Sequence, residues 1–149
     1  MSGDESSRAL SMAIEEAIRS EALAWFASSN CKIWAKDRSR GLISPQPNYL
    51  QGKIQDVINH FEALGLPVRI LGLKPRQRGS TTFFSAADYC HLRRKSAHAC
   101  VIGGQLSQTN EVVEMLKTYN ANDKFNWRNT GEINSKEGRW SNGSRLKFE

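Results

Sequence analysis

Residues 68–82 read VRILGLKPRQRGSTT, and this stretch decides the predicted fold class. Residues 68–73 form a short apolar run typical of a buried strand, which leads straight into a basic turn ending at Gly79. A helix is predicted to follow, over about residues 81–95. A strand, a tight turn and a helix N-terminus in this order are the parts of a phosphate-binding loop, because the unpaired amides and positive dipole end of the helix face the anion.

The turn also carries cations that could neutralise phosphate charge. Arg76 is the preferred phosphate contact, because a guanidinium makes forked hydrogen bonds to phosphate oxygens and stays charged. Lys74 and Arg78 lie within reach of the same phosphate. The standard pattern G-x-x-x-x-G-K-[ST] asks for glycine at position 74 and lysine at position 80, where this chain has Lys74 and Ser80. The pattern alone therefore also fits a solvated basic turn between a strand and a helix.

Two hydroxyl side chains stand where the helix begins. A hydroxyl in the first helical turn of a phosphate loop ligates Mg²⁺, so Thr81 is the predicted metal ligand and Thr82 its neighbour. Both residues also suit ordinary capping of a helix start.

Strand and helix patterns alternate around this loop. A helix is predicted over residues 50–64 with Gly65 as its stop, a strand over residues 97–102, and another helix over residues 107–119. Such alternation favours a parallel sheet with helical crossovers. Near the end, Asn142-Gly143 between two short strand patterns predicts a hairpin, and the polar residues 120–137 show little periodicity.

The first 45 residues are predicted to be a helical extension and linker, and residues 46–149 the main domain. Apolar residues recur at helical spacing from Arg8 to about Ser28, with Ser6 or Ser7 as N-cap. A loop is predicted from residue 36 to residue 47.

The sequence KPRQRGSTT (residues 74–82) resembles the deviant Walker A loop of large terminase subunits, the DNA-packaging motor ATPases of tailed bacteriophages. Loops of that family read lysine, any residue, Arg-Gln, any residue, glycine, any residue and two hydroxyl residues. The matching residues are Lys74, Arg76, Gln77, Gly79, Thr81 and Thr82. The resemblance implies an α/β fold of the P-loop NTPase (RecA/ASCE-like) type, with a partial parallel sheet flanked by helices and a helical N-terminal extension. It also implies that Lys74 and Arg76 act in catalysis and that residues 77–82 (Gln77, Arg78, Gly79, Ser80, Thr81 and Thr82) surround the nucleotide.

Flanking segments extend the resemblance over roughly residues 45–149. Tyr49-Leu50-Gln51 is similar to the adenine-recognition segment of the family, and residues 140–146 are similar to the hairpin that precedes its Walker B strand. Gln51 also stands three residues after Asn48, where it would complete a capping box, so adenine contact and helix capping remain open alternatives. Gln46 is a rival for the adenine contact.

The resemblance implies ATP and Mg²⁺ as cofactors and ATP hydrolysis coupled to translocation of double-stranded DNA. The implied partners are the small terminase subunit and the portal protein, with self-association in the full-length motor. The chain ends at Glu149, before any apolar strand that finishes in paired acids, so the Walker B aspartate, the catalytic glutamate and the nuclease domain have no counterpart. We therefore expect ATP binding but not turnover by this chain alone.

Composition leaves two other classes of function open. The 149 residues carry 21 basic and 15 acidic side chains, a net charge of +6 that favours polyanionic partners. A small basic nucleic-acid-binding protein, or part of another P-loop motor such as a helicase, would share this feature. The polar N-terminus has no signal pattern and no apolar run is long enough for a bilayer, so a cytoplasmic location without membrane contact is expected.

Two further sets of residues invite a functional interpretation. Arg93-Arg94-Lys95 either contacts DNA or, more simply, complements the dipole at the C-terminus of a helix. The three cysteines match no disulfide framework, and their spacing from the histidines matches no zinc site, so reduced and mostly packed thiols are expected.

Overall fold

The computed structural model describes residues 8–13, 21–71, 79–94, 96–124 and 131–149. Residues 8–13 are helical. The other described helices are α1 (Ala22–Ala27), α2 (Tyr49–Ala63), α3 (Ser80–Arg94) and α4 (Leu106–Asn122). The strands are β1 (Ile33–Trp34), β2 (Leu42–Ile43), β3 (His98–Val101), β4 (Gly131–Ile133), β5 (Glu137–Trp140) and β6 (Arg145–Phe148). The α/β class is confirmed, as are the predicted helices at 81–95 and 107–119 and the strand at 97–102.

Helix α3 lies at the centre of the core, packed against α1, α2, α4 and β3. Its Tyr89 ring lies 5.1 Å from the Trp25 ring of α1 and 6.0 Å from the Tyr119 ring of α4, measured between centroids. Phe83 of α3 meets Phe26 of α1 edge to face at 5.7 Å. Such tilted and edge-on pairs add to the stabilisation from burying large aromatic surfaces.

Helix α2 begins and ends as its sequence predicts. Asn48 and Gln51 form a capping box, in which each side chain accepts a hydrogen bond from the other residue's backbone amide. At the other end Gly65 has φ +65°. Its amide donates a hydrogen bond to the Glu62 carbonyl, and the Leu66 amide donates one to the Phe61 carbonyl. These two bonds make a Schellman motif, which satisfies the last carbonyls of the helix.

The single helix predicted from Arg8 to Ser28 is wrong, because Glu21 is extended and α1 begins afresh after it. Glu21 gives α1 no side-chain cap. Instead, Gln55 of α2 accepts a hydrogen bond from the Leu23 amide at 3.2 Å. A polar residue of α2 is therefore buried because it satisfies an amide at the start of another helix.

The main sheet has the order β3-β6-β5-β4, and its arrangement corrects the predicted parallel sheet. Strands β3 and β6 are parallel, with His98 opposite Arg145, whereas β4, β5 and β6 form an antiparallel meander. The antiparallel part follows from tight reversals, which allow no other pairing. The predicted hairpin at Asn142-Gly143 is confirmed, with Gly143 at φ +87°, whereas the short strand β4 was not predicted.

The predicted strand over residues 68–73 is not borne out where it is described. Residues 66–71 are irregular, and Leu71 is 98% exposed. In a parallel sheet this run would pair with a neighbouring strand such as β3. Among the described residues, however, β3 pairs only with β6, so residues 68–71 have no strand with which to form a hydrogen-bond ladder. Residues 72 and 73 lie outside the described residues.

Residues 31–47 contain more structure than the predicted loop. Strands β1 and β2 pair antiparallel, with Ile33 opposite Ile43, and a 3₁₀ turn at Arg38–Arg40 joins them. The Asp37 carboxylate caps that turn by accepting a hydrogen bond from the Ser39 amide. Across the described ranges, every helix is too short or too polar to pass through a bilayer.

Candidate functional site

The N-terminus of α3 forms directly behind a left-handed glycine. Gly79 has φ +70°, a conformation that side-chain-bearing residues rarely adopt, and its carbonyl accepts the first helical hydrogen bond, from the Phe83 amide at 3.0 Å. The chain thus turns sharply into a helix of 15 residues. The amides of its first turn and its positive dipole end lie next to the glycine, as an anion site requires.

Gln51 joins the start of α2 to this glycine. Its side-chain Nε2 donates a hydrogen bond to the Gly79 carbonyl at 3.0 Å, while its Oε1 accepts one from the Asn48 amide at 2.9 Å. Gln51 is only 3% exposed. The predicted capping box is therefore confirmed, and both ends of the Gln51 amide are occupied by backbone groups rather than presented to a base.

Ser80 is the polar residue whose environment points most directly to a ligand. It is 2% exposed, and its Oγ has no hydrogen-bond partner among the described residues. A buried hydroxyl without a partner costs about 1–3 kcal/mol. Because Ser80 is the first residue of α3, a group bound at this helix end could remove that cost.

The two predicted hydroxyl ligands lie in the first turn of α3 and differ in exposure. Thr81 is exposed and Thr82 is half-buried. The backbone carbonyls of both residues accept hydrogen bonds from side chains. Ser85 Oγ donates to the Thr81 carbonyl at 2.8 Å, and Tyr119 Oη donates to the Thr82 carbonyl at 3.0 Å. These bonds fix the backbone of the turn on which the hydroxyls stand.

The structure therefore brings together Gln51, Gly79, Ser80, Thr81 and Thr82. The predicted phosphate-binding side chains Lys74, Arg76, Gln77 and Arg78 lie outside the described residues. Gln46, the rival for base contact, is exposed and belongs to the segment before α2.

The core contains a buried ion pair that the sequence patterns do not predict. Arg93 of α3 donates to the Asp123 carboxylate at the end of α4, and Tyr89 Oη donates to the same oxygen at 3.1 Å. Arg93 is buried and Arg94 exposed, while Lys95 lies outside the described residues. Arg93 is therefore a core residue rather than a DNA contact. The spacing of Arg93 could have indicated its burial, because it follows Tyr89 by four residues and Ala86 by seven and so lies on the same buried face of α3.

Two of the three thiols are packed in the core. Cys31 and Cys90 are buried, and burial raises the pKa of the Cys90 thiol to about 12. Cys100 is exposed on β3. All three are free, and the described residues contain no group of three acidic, histidine or cysteine side chains placed to hold a metal ion.

Comparison of the chain with protein-family models and with curated proteins finds no match.

Proposed function

We propose that this chain binds ATP with Mg²⁺ at the turn leading into α3, as the nucleotide-binding part of a DNA-packaging motor of the large-terminase type. The observation that carries the proposal is the buried, unpartnered Ser80 hydroxyl at a helix N-terminus that follows a left-handed glycine. A phosphate group at this point would meet amides, a hydroxyl and the positive end of the helix dipole.

Different residues of the turn would hold different parts of the nucleotide. The α3 amides and Ser80 would bind phosphate oxygens, and Arg76 with Lys74 would neutralise their charge. Thr81, exposed in the first turn, would supply the hydroxyl ligand for Mg²⁺. The bound metal would neutralise charge on the terminal phosphates.

Gln51 has a supporting role in this proposal. Its hydrogen bond to the Gly79 carbonyl links the capped start of α2 to the exit of the loop. A backbone already fixed at Gly79 loses less conformational freedom on binding, which favours affinity.

The assignment to a packaging motor is supported by the sequence KPRQRGSTT at positions 74–82 and by the confirmed hairpin at Asn142-Gly143. In such a motor the nucleotide site would drive movement of double-stranded DNA, working with a small terminase subunit and a portal protein. A P-loop fold of the RecA/ASCE type belongs to the same proposal.

Titration calorimetry with ATP and Mg²⁺ tests the site. We expect saturable binding to the wild-type chain and at least a tenfold weaker affinity in Arg76→Ala, because a charged hydrogen bond to phosphate is worth about 1.5–3 kcal/mol. Arg69→Ala is the matched control, since it removes the same charge from an exposed position just upstream and should leave the affinity unchanged.

Absence of ATP binding at millimolar concentration, in protein shown by circular dichroism to be folded, would contradict the proposal. Binding to DNA that ignores Mg²⁺ and falls steeply with salt, without ATP binding, would instead favour a basic nucleic-acid-binding module. ATP binding together with unwinding of duplex DNA would favour a helicase-type motor.

A further inference from the structure

A cleft lies between β1 and α4 and reaches the first turn of α3. It has a volume of about 600 Å³, within the range of small-molecule sites. It is lined by Thr82 of α3, by Lys32, Trp34 and Arg38 in and around β1, and by Glu111 and Glu114 of α4. The cleft is therefore continuous with the helix turn that carries the proposed phosphate site.

Trp34 supplies an aromatic surface in this cleft. It is 49% exposed, although the other two tryptophans described, Trp25 and Trp140, are buried. The Arg38 guanidinium lies 5.1 Å from the Trp34 ring centroid, a cation–π contact that restrains the indole while leaving much of it open. An exposed, restrained indole is a stacking surface for a flat ring.

The charged side chains that line the cleft indicate which part of a nucleotide would fit. Lys32 and Arg38 balance the exposed carboxylates of Glu111 and Glu114, so the cleft has no excess positive charge to hold a phosphate group. Carboxylates accept hydrogen bonds from ribose hydroxyls and from amino groups of a base. An exposed indole in a cleft whose positive and negative side chains balance therefore suits a neutral nucleoside.

The Gln51 side chain already makes two hydrogen bonds within the protein, so another element would have to recognise the base. Its Oε1 and Nε2 are engaged with Asn48 and Gly79, and it is almost fully buried. The base of a nucleotide whose phosphates sit at α3 must therefore find its contacts elsewhere along the first turn. Thr82 belongs to that turn and also lines the cleft that contains Trp34.

We infer that the cleft between β1 and α4 is the base subsite, where the purine ring of the bound nucleotide stacks on Trp34 and its ribose or amino groups reach Glu111. This inference rests on the proposed nucleotide site at α3. It differs from the adenine contact expected at Tyr49-Leu50-Gln51.

Two ligands separate the base subsite from the phosphate site: ATP with Mg²⁺, and tripolyphosphate with Mg²⁺, which has no base. In Trp34→Leu, which keeps apolar bulk but removes the aromatic face, we expect the dissociation constant for ATP to rise about five- to tenfold. The affinity for tripolyphosphate should stay unchanged. Trp34→Phe restores a ring and should recover most of the ATP affinity.

Tyr49→Ala tests the rival position for the base, in the segment at residues 49–51. Tyr49 is also an exposed aromatic residue beside a cation, with Lys53 Nζ 5.6 Å from its ring centroid, but it lies on α2 outside the cleft. We expect Tyr49→Ala to bind ATP like the wild type. Loss of ATP affinity in Tyr49→Ala but not in Trp34→Leu would overturn the inference in favour of the segment at residues 49–51.

The remaining outcomes are also decisive. An unchanged ATP affinity in Trp34→Leu, or an equal loss for ATP and tripolyphosphate, overturns the base subsite while Arg76→Ala can still show the phosphate site to be real. If the wild-type chain binds neither ligand, the proposed nucleotide site fails and the base subsite fails with it. Circular dichroism of each variant excludes unfolding as the cause, and Glu111→Gln offers a second variant, on α4, with the same expected selectivity.

Discussion

Arg93 and Asp123 place opposite charges inside the core, where a charge is tolerated only when it is paired. The Arg93 guanidinium also lies 5.5 Å from the Tyr89 ring centroid and 5.9 Å from that of Trp25. Because Asp123 is the C-cap residue of α4, the pair joins the ends of α3 and α4. This buried pair thus fixes how the C-terminal ends of α3 and α4 meet.

Asp88 of α3 gives a pH-dependent stability that can be measured. It lines a cleft between α2 and α3, together with Glu62, His91 and Arg94, and burial raises its carboxyl pKa from 3.8 to about 6. A raised carboxyl pKa means that the folded state holds the proton more tightly, so this group lowers stability as the pH rises from about 4 to about 6. We expect Asp88→Asn to stabilise the chain at pH 7 by about 1–2 kcal/mol, less than the full shift because the residue is only half-buried.

Urea unfolding of wild type and Asp88→Asn from pH 4 to pH 8 checks this expectation. The difference in unfolding free energy should grow up to about pH 6 and then stay level. Asp56→Asn is the control, because Asp56 is exposed and pairs with Lys53 at 3.3 Å, so its removal should give no such rise. A pH-independent difference for Asp88→Asn would contradict the raised pKa.

At the scale of elements, the start of α2 combines helix capping with support of the α3 turn. Asn48→Ala removes one half of the capping box and should cost about 1 kcal/mol of unfolding free energy. Gln51→Ala removes the other half and also the hydrogen bond to the Gly79 carbonyl, so we expect a larger loss, about 2 kcal/mol. Chemical denaturation measures both losses.

Gln46→Ala provides the comparison for the loss in Gln51→Ala. Gln46 is an exposed glutamine in the segment before α2, and its removal should change stability by less than about 0.5 kcal/mol. Equal losses in Asn48→Ala and Gln51→Ala would show that the contact with Gly79 contributes nothing, and that Gln51 only caps its helix.

Elements with local signals could be predicted from sequence, and those that depend on distant partners could not. Gly65 ends α2 and Gly143 turns the β5–β6 hairpin, because a left-handed backbone at a glycine is a local property. The burial of Gln55 depends on an amide of α1, 32 residues away, which no local pattern of α2 contains. Likewise, the apolar residues 68–71 resemble a strand, yet a strand also needs a neighbour to pair with.

The same distinction applies to the candidate site. Gly79 and the hydroxyls of α3 could be identified from the spacing of the loop. The Trp34 cleft could not, because it forms only when β1 packs against α4, which follows it by about 70 residues.

For the whole molecule, the structure shows that the first 45 residues contribute to the main core. Trp25 and Phe26 are at most 2% exposed and contact Tyr89, Tyr119 and Phe83. The predicted division at residues 45 and 46 therefore has a direct test, since an independent domain should fold without its extension.

A chain reduced to residues 46–149 should lose cooperative unfolding. Removing a buried large aromatic costs about 3–5 kcal/mol, so losing Trp25 and Phe26 together approaches the about 5–15 kcal/mol that holds a whole domain folded. The control is a chain of residues 14–149, which keeps both aromatics and lacks a segment whose described residues, 8–13, are exposed. Thermal unfolding followed by circular dichroism should show one sharp transition for residues 14–149 and none for residues 46–149. A sharp transition in both would mean that the helices and sheet after residue 45 form a domain by themselves, and that α1 packs onto a surface already folded.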